Sequence, residues 1–360
     1  WHLSRPEVLN FDFSAFTFRY DVMEFSTAIK PHMFRWIFSN TNAQKVVYLD
    51  PDILVVSPLK KVLGLLDQGA SAVLTPHLTS RLDDTYLPNE NNMLQVGTYN
   101  LGFIALSRHE EAMKLVSWWS DRLEKGAIVD LANGLFTDQK WADLMPSLFG
   151  DVAVLRDPGY NAAYWNLMHR KIDQVDGKWM ANDEPLAFFH FSGIDPRNPD
   201  IFSKHQDRFM LSDIGKLKEL YNYYLEQLGA NEYFETNKLT YAFNHLNDGT
   251  KIHAAMRSYF RQILDIKNSD VANPFDLTPT YFNQSEPLCK KKSIVTRFMY
   301  GLYNKYSDLQ KSFDLESLDG QYEYANWFVS AGCHIYSVDR AYVESESDAL
   351  NEKRKSVSIN

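Results

Sequence analysis

An apolar run that stops at two carboxylates, Lys45-Val-Val-Tyr-Leu-Asp-Pro-Asp52, constrains the fold of this chain more than any other segment. Residues 46–49 are strand formers, and such a run predicts a buried strand. Asp50 and Asp52 are two residues apart, so in an extended backbone their side chains point to the same side. Two hard oxygen ligands on one side predict a binding site for Mg²⁺ or Mn²⁺, ions that commonly bind the phosphate groups of substrates. The competing interpretation is a solvated turn after the strand.

Length and composition narrow the class of protein. A chain of 360 residues, 45% of them hydrophobic, can bury a large core and predicts one large domain plus an appendage. The net charge of −9 argues against non-specific binding of nucleic acid, which needs a cationic surface. The two cysteines, Cys289 and Cys333, make neither a disulfide framework nor a zinc site and fit a reducing compartment. No apolar run approaches transmembrane length, so we expect a cytoplasmic protein.

Strand and helix patterns alternate over about the first 210 residues. Helical spacing covers residues 21–37, and further apolar strands are predicted near 71–75, 103–106, 153–155 and 186–190. Apolar strands separated by helices predict an α/β fold with a mainly parallel sheet and helices on both faces. Residues 79–96 are polar and are predicted to form a loop. Helical patterns dominate later, so we predict one domain at 1–210 and a helical C-terminal region at 211–360.

Polar residues cluster near the ends of predicted strands at four places, which are Asp50 with Asp52, Asn100 with Gly102, Asp138 with Gln139, and His190 with Gly193. In open α/β sheets ligands bind at the carboxyl ends of the strands. We therefore expect the four clusters to contribute to one site. Local interpretations compete with this one, because Asp138 also fits a helix N-cap and His190 also fits a core histidine at a strand end.

The ordered motifs Tyr48-Leu-Asp-Pro-Asp52, Tyr99-Asn-Leu-Gly102, Thr137-Asp-Gln139 and His190-Phe-Ser-Gly193 resemble glycosyltransferase family 8. Members of that family are retaining nucleotide-sugar glycosyltransferases with a GT-A fold. The resemblance covers about residues 20–210 and is closest to bacterial members that build surface polysaccharides. It implies a hexosyltransferase that takes a nucleotide-diphosphate sugar, with a UDP-sugar favoured. The acceptor would be a glycan or a lipid-linked saccharide.

The resemblance also implies roles for individual residues. Asp50, Asp52 and His190 would hold the metal, and an imidazole ligand favours Mn²⁺ over Mg²⁺. Asp138 would bind sugar hydroxyls, and Gln139 would lie beneath the anomeric carbon. The other contacts with donor and acceptor would come from Lys30, Asn100, Gly102, Asn161, Trp165, Gly193 and Lys204.

Several of these assignments have alternatives. Lys30 fits a solvated helix lysine equally well, Trp165 fits ordinary aromatic packing, and Arg197 is an alternative to Lys204 as a diphosphate ligand. Nothing before Asp21 resembles the strand and loop with which the family begins and which hold the nucleotide base. One interpretation is that the chain lacks this unit, which predicts weak donor binding.

Other functions stay open at this stage. A transferase-like scaffold without catalysis would explain the missing first unit. A phosphatase of the haloacid dehalogenase type also uses Asp-x-Asp after an apolar strand, but its motif wants Thr or Val where Leu54 stands. A sugar nucleotidyltransferase would need a glycine-rich, basic N-terminal loop, and none is seen.

One basic amphipathic segment suggests a membrane surface. Lys290, Lys291 and Lys292 precede apolar residues at helical spacing, among them Ile294 and Phe298. Such a segment predicts peripheral contact with anionic lipid, which would place the protein at the inner face of the plasma membrane. The alternative is ordinary packing of the appendage.

Overall fold

The computed structural model describes residues 12–265, 271–286 and 294–343, and these form two compact units. The central unit is Ser26–Leu239, and the terminal unit joins residues 12–25 to the described residues from Thr240 onward. The predicted boundary after residue 210 lies inside the central unit. The segment before Ser26, which was predicted to belong to the first domain, is part of the terminal unit instead.

The strands of the central unit form a mixed α/β arrangement with the helices. They are β1 (Lys45–Leu49), β2 (Ile53–Val55), β3 (Ala72–Leu74), β4 (Phe103–Ser107), β5 (Val129–Asp130), β6 (Leu135–Phe136), β7 (Val152–Val154), β8 (Ile172–Val175), β9 (Lys178–Ala181), β10 (Glu184–Pro185) and β11 (Phe188–His190). The largest sheet has the order β1-β4-β3-β7. Strand β4 is antiparallel to both β1 and β3, and only β3 and β7 are parallel.

The prediction of a mainly parallel sheet is therefore wrong for the described residues, because the largest sheet is mixed. Apolar runs show that a strand is buried on both faces, and they carry no information about its direction. Val73, Phe103 and Ala105 are fully buried in this sheet. Burying a side chain the size of Val73 or Phe103 contributes about 1.5–3 kcal/mol, so the centre of the sheet stabilises the strands whose ends carry the candidate site.

A two-stranded ladder between β2 and β11 positions the candidate site. The strands are antiparallel, with Ile53 opposite His190 and Leu54 opposite Phe189. Phe188 and Phe189 are fully buried and, as neighbours in a strand, point to opposite faces, so β11 is buried on both sides. The remaining strands form the meander β8-β9-β10 and the short pair β5-β6.

The helices of the described chain are α1 (Phe13–Arg19), α2 (Val22–Ala28), α3 (Lys30–Asn40), α4 (Lys60–Asp67), α5 (Glu90–Val96), α6 (Glu110–Leu123), α7 (Met145–Leu148), α8 (Leu217–Ala230), α9 (Tyr233–Thr236), α10 (Ala254–Asp265), α11 (Pro279–Phe282), α12 (Arg297–Lys305), α13 (Ser307–Ser312), α14 (Leu318–Trp327) and α15 (Cys333–Ile335). A π-helical turn at Phe328–Gly332 joins the last two. Shorter 3₁₀ turns lie at Leu131–Asn133, Lys140–Leu144, Leu167–His169, Pro274–Asp276 and Arg340–Tyr342. None of the described helices combines the length and the apolar composition that crossing a bilayer requires.

Helix α5 corrects the prediction that residues 79–96 are only a loop. Asn89 and Asn92 form a capping box, in which each side chain accepts a hydrogen bond from the other residue's backbone N–H. Such a box satisfies two of the N–H groups that a helix start leaves unpaired. An Asn-rich polar segment thus specifies a helix start, although its composition resembles that of a loop.

The terminal unit has its own hydrophobic core. Phe18 of α1 is fully buried there, together with side chains of α10, α12 and α14. Ile294, Phe298 and Leu302, which were predicted to face a membrane, are buried in the same core. Lys290, Lys291 and Lys292 lie outside the described residues, as does Cys289.

Candidate metal centre and its polar pocket

Three residues predicted as metal ligands meet in the structure. Asp50 follows β1, Asp52 precedes β2, and His190 ends β11. The pairing of β2 with β11 brings the last two together, and the backbone N–H of Phe191 donates to the carbonyl of Asp52 at 2.8 Å. One ligand atom from each of the three side chains lies within 4.8 Å of the other two. The sequence therefore identified a set of groups that can hold a metal ion.

Asp50 is held by two neighbours. The hydroxyl of Tyr48 donates to Asp50 Oδ1 at 2.5 Å, and Lys30 Nζ lies 3.7 Å from the same oxygen. Burial raises the pKa of Tyr48, and the nearby carboxylate of Asp50 raises it further, so the hydroxyl keeps its proton and stays a donor. Sequence analysis gave Tyr48 no role, although it stands two residues before Asp50 in the same strand.

A chain of hydrogen bonds that starts at a backbone N–H indicates which ring nitrogen of His190 carries a proton. The N–H of Gly102 donates to Asn100 Oδ1 at 3.1 Å, which fixes the orientation of the Asn100 amide. Asn161 Nδ2 donates to the same oxygen at 3.0 Å, so Asn161 Oδ1 is the atom that faces His190 Nδ1 at 3.2 Å. An amide oxygen can only accept, and we therefore infer that the proton of His190 is on Nδ1. The lone pair of Nε2 is left for a metal ion or an additional proton.

The donor set fits a divalent cation. His190 Nε2 lies 2.9 Å from Asp52 Oδ1, a buried oxygen that accepts no regular hydrogen bond from the described residues. Two lone pairs at this distance repel each other unless a cation or a proton lies between them. Burial, the largest influence, raises the pKa of Asp52, but the interactions with His190 bring it below its usual value. Imidazole nitrogen with two carboxylates is a set that Mn²⁺ accepts, and Asn161 is the kind of outer partner that orients a ligating histidine.

Two glycines predicted at the site make close approaches that a side chain would block. A Cβ on Gly102 would lie 2.3 Å from His190 Cε1, so this glycine lets the β1–β4 edge reach the imidazole. Gly193 has a φ of +78°, and a Cβ there would lie 2.5 Å from His205 Cδ2. The turn after His190 therefore depends on glycine both for its backbone conformation and for space.

A buried ion pair joins the metal centre to the third cluster. Lys30 Nζ lies 3.0 Å from Asp138 Oδ2, donates to the carbonyl of Leu101 at 2.9 Å and lies 4.5 Å from the ring centroid of Tyr48. Both Lys30 and Asp138 are almost fully buried. Burial raises the pKa of Asp138, while the charge of Lys30 opposes that shift. Lys30 is thus not a solvated helix lysine.

Asp138 is also not a helix N-cap. Its oxygens face Lys30 and the hydroxyl of Thr137, which donates to Asp138 Oδ1 at 3.2 Å. The following 3₁₀ turn has no side-chain cap. Thr137 has a φ of +47°, a conformation that a β-branched residue rarely adopts. That strained backbone aims the carboxylate of Asp138 inward, toward Lys30.

Gln139 lies in the same pocket with its amide fully engaged. Its Oε1 accepts hydrogen bonds from the N–H of Leu101 at 3.2 Å and from Asn100 Nδ2 at 3.4 Å. Its Nε2 donates to the carbonyl of Val96 at 2.9 Å. The side chain therefore links α5 to the Asn100 turn, and its position is fixed by backbone groups on both sides.

Two residues of this polar network were not predicted. Asn161 Nδ2 donates to Thr75 Oγ1 at 2.9 Å, and Asn100 Nδ2 donates to His77 Nε2 at 3.2 Å. Burial lowers the pKa of His77 to about 4, so the ring is neutral and can accept this bond. Thr75 directly follows β3 and His77 comes two residues after Thr75, so the same strand-end rule that selected the other clusters would have found them.

The predicted acceptor and diphosphate residues have mixed surroundings. Trp165 is buried edge-on against His77 and His190, with ring centroids 5.3 and 5.1 Å apart. It therefore packs on the metal centre from inside the protein. Lys204 is exposed, and its backbone N–H donates to the carbonyl of Gly193 at 3.0 Å. Arg197 forms a two-pronged ion pair with Asp195, with both bonds 2.9 Å long.

Comparison with known proteins gives two relatives in Bacillus subtilis strain 168. The chain is 28% identical to uncharacterized protein YfnF over 181 residues and 28% identical to uncharacterized protein YfnD over 174 residues. Each match covers 48% of this chain, and the chain spans 57% and 54% of the two relatives, little more than half their length. No family model matches the chain, and no solved structure matches it.

Proposed function

We propose that this protein is a metal-dependent glycosyltransferase that moves a hexose from a nucleotide-diphosphate sugar to a saccharide acceptor. The observation that carries the proposal is the convergence of Asp50, Asp52 and His190, with His190 Nε2 only 2.9 Å from a buried carboxylate oxygen of Asp52. Oxygen and imidazole ligands, with the buried Lys30–Asp138 pair beside them, are the kinds of group that would bind a diphosphate and a polar sugar.

Each side chain has a distinct part in this proposal. A bound Mn²⁺ or Mg²⁺ would supply the positive charge that a departing diphosphate needs. Lys30 adds a fixed positive charge beside Asp50, and Asp138 presents a buried carboxylate that sugar hydroxyls can bind. Lys204, exposed next to the Gly193 turn, is free to reach the outer phosphate.

Retention of configuration would follow from the surroundings of Gln139. An amide oxygen is a poor nucleophile, and Gln139 Oε1 already accepts hydrogen bonds from Leu101 and Asn100. A double displacement through this residue is therefore disfavoured. We propose instead that the acceptor attacks on the face from which the diphosphate leaves, while Asn100 and Gln139 keep the floor of the pocket rigid.

The finer assignments extend the same proposal. A GT-A arrangement, Mn²⁺ as the preferred ion, a UDP-sugar as donor and a glycan or lipid-linked saccharide as acceptor agree with the ligand set and with the ordered strand-end motifs. Polysaccharide synthesis in the cytoplasm is the setting we propose. We leave membrane contact out, because Ile294, Phe298 and Leu302 are buried in the terminal core and present no apolar face there.

Calorimetry tests the proposal. UDP, GDP and ADP are titrated into the protein, each with and without Mn²⁺, and we expect one nucleotide to bind only when the metal is present. Asp52→Ala and His190→Ala should each abolish that binding and leave the circular dichroism spectrum unchanged, because both side chains lie at the end of a strand and not in the core of the sheet. Asp195→Ala is the matched control, since Asp195 is a carboxylate near the same turn that pairs with the side chain and the backbone N–H of Arg197.

Two results would contradict the assignment. Metal-dependent binding that persists in both Asp52→Ala and His190→Ala would separate the ligand set from the nucleotide site. Binding of Mn²⁺ alone without any nucleotide would keep the metal centre and favour the non-catalytic scaffold. The haloacid dehalogenase alternative needs Asp50 free to attack phosphorus, and the bond from Tyr48 together with Lys30 weighs against it.

A further inference from the structure

A second cavity lies in the central unit and is lined by none of the metal-centre residues. Its volume is about 330 Å³, at the lower end of the range of small-molecule sites. Its wall combines the apolar side chains of Leu167, Ile172 and Phe209 with the cationic side chains of Arg170, Lys171 and Lys216. The cavity is therefore large enough for a monosaccharide and offers both a hydrophobic floor and positive charge.

Arg170 is the residue of this cavity that most favours binding of an anion. Its side chain is only 3% exposed, and one guanidinium nitrogen donates to the carbonyls of Pro158 and Tyr160 at 3.0 and 2.8 Å. Its buried Nε–H has no acceptor, and it has no ion-pair partner, in the part of the chain that the structure describes. The carboxylate of Asp157 acts on it from a distance but is paired with Lys61. Burial lowers the pKa of Arg170 to about 10, and the charge of Asp157 opposes that shift.

The carboxylates at the cavity do not replace that counter-ion. Asp173 pairs with Lys171 at 2.8 Å. Asp213 accepts from the backbone N–H of Met210 and from the hydroxyl of Ser212, at 2.8 and 2.9 Å. Both are thus engaged at the rim, and the buried cation is left without an anion.

We propose that this cavity binds an acidic monosaccharide, with a carboxylate or phosphate group of the ligand beside Arg170. Lys171 and Lys216, which pair with Asp173 and Glu219, add positive charge around the entrance, and Phe209 adds an aromatic side chain to the wall. The inference does not depend on transferase activity, because it uses no residue of the metal centre.

Titration of the full chain at low ionic strength tests the site. Glucuronate, glucose 6-phosphate and inorganic phosphate are the anionic probes, and glucose is the uncharged control. We expect at least one anionic sugar to bind and glucose not to bind. Binding of glucuronate alone identifies a carboxylate site, whereas binding of glucose 6-phosphate alone identifies a phosphate site. If no anionic sugar binds, or if glucose binds as tightly, the proposal is wrong.

Variants locate the binding. Lys171→Glu combined with Lys216→Glu should lower the affinity for the anion by at least tenfold. Lys178→Glu should leave that affinity unchanged, because Lys178 is exposed on β9 and does not line the cavity. Arg170→Gln should remove the rise in melting temperature that the anion causes. Arg170→Gln is the variant that risks misfolding, and the lysine pair keeps the test decisive in that case, because unchanged affinity in the double variant would overturn the proposal. Asp52→Asn, which impairs the metal centre, should not alter this binding, so the two proposals can fail separately.

Discussion

At the scale of single residues, the hydrogen-bond chain from Gly102 to His190 is the central finding. The backbone N–H of Gly102 fixes the orientation of the Asn100 amide, and Asn100 in turn fixes the orientation of the Asn161 amide. The amide oxygen of Asn161 then faces Nδ1 of the imidazole, where we infer the proton to be. These bonds orient the imidazole so that Nε2 faces the candidate metal position. Outer-shell groups of this kind usually change metal affinity by 10–100-fold when removed.

Substitution of Asn161 tests this chain. Asn161→Leu removes the acceptor of His190 Nδ1–H, and we expect the affinity for Mn²⁺ to fall by about 10–100-fold. Asn161→Asp keeps an oxygen beside His190 Nδ1 but loses the donor to Asn100 Oδ1, so its affinity should fall less than that of Asn161→Leu. Titration of Mn²⁺ into both variants decides the matter. An equal loss in both would mean that packing, and not the bond to the imidazole, is what Asn161 supplies.

Stability should fall with acid because His77 is buried in its neutral form. Its pKa is about 4 in the folded protein and 6.5 when exposed, so the unfolded chain binds more protons between these values. The contribution is complete above pH 6.5 and is lost as the pH falls toward 4, with a magnitude on the order of 3 kcal/mol for a shift from 6.5 to about 4.

Urea unfolding at pH 7.5 and 4.5 measures this effect. His77→Gln should be less stable than the wild type at pH 7.5 but should lose less stability on acidification. His32, whose pKa burial lowers to about 3, should keep part of the pH dependence in the variant. An unchanged slope in His77→Gln would show that His77 is not the titrating group.

The sequence predicted the members of the site better than their surroundings. Asp50, Asp52 and His190 were found because charged and imidazole groups at the ends of apolar strands have few structural reasons to be there. The burial of Lys30 was not predicted, since a lysine at a helix start has the same pattern whether its ammonium group meets water or Asp138. Contacts between residues far apart in sequence leave no local trace.

At the scale of elements, residues 80–96 form a segment, here called the strap, that is connected to the candidate site. Arg208 donates to both oxygens of Asp84 at 2.8 Å and to the carbonyls of Tyr86 and Pro88 at 3.1 Å. The far end of the strap is α5, whose Val96 carbonyl accepts from Gln139. The strap is therefore fixed at one end by Arg208 and at the other by a residue of the candidate site.

Removing Arg208 should loosen this strap. In Arg208→Ala we expect faster amide hydrogen exchange over residues 82–96, because four bonds to the segment are lost at once. Arg197→Ala is the matched control, since its two-pronged pair with Asp195 spans only two residues. Exchange mass spectrometry reads both variants. Equal exchange in Arg208→Ala and the wild type would mean that other contacts, such as the bond from the N–H of Leu87 to Asp207, hold the strap.

Three features of the elements could not be predicted from the local sequence. The capping box of α5 was overlooked because asparagine also dominates loops, and the direction of β4 was misjudged because apolar strands look alike in parallel and antiparallel sheets. The β2–β11 ladder was not foreseen, although the apolar residues 186–190 were expected to form a strand. Pairing partners depend on the whole fold and not on either strand.

At the scale of the whole molecule, the chain builds the terminal unit from two separate segments. Residues 12–25 belong to it, while everything from Ser26 to Leu239 forms the central unit. Composition does not reveal this division, because α1 is an aromatic helix like many others. Only the burial of Phe18 among α10, α12 and α14 assigns it.

Phe18→Ala tests how much α1 contributes. The ring is fully buried and packs against Phe260 and Phe275, with centroids 4.7 and 5.2 Å away. We expect the free energy of unfolding of the terminal unit to fall by about 3–5 kcal/mol. Amide exchange in α10 reports that unit directly, and Phe234→Ala, a truncation of an exposed ring, is the control. A change below 1 kcal/mol would show that α1 is dispensable there.

The discontinuous terminal unit has a consequence for synthesis on the ribosome. Phe18 is made early, but α10, against which it packs, follows only after the whole central unit. At about 5–20 residues per second the interval is roughly 10–50 s. During that time the apolar side chains of α1 lack the residues against which they pack in the folded protein. The terminal unit is thus completed only after the central unit has been made.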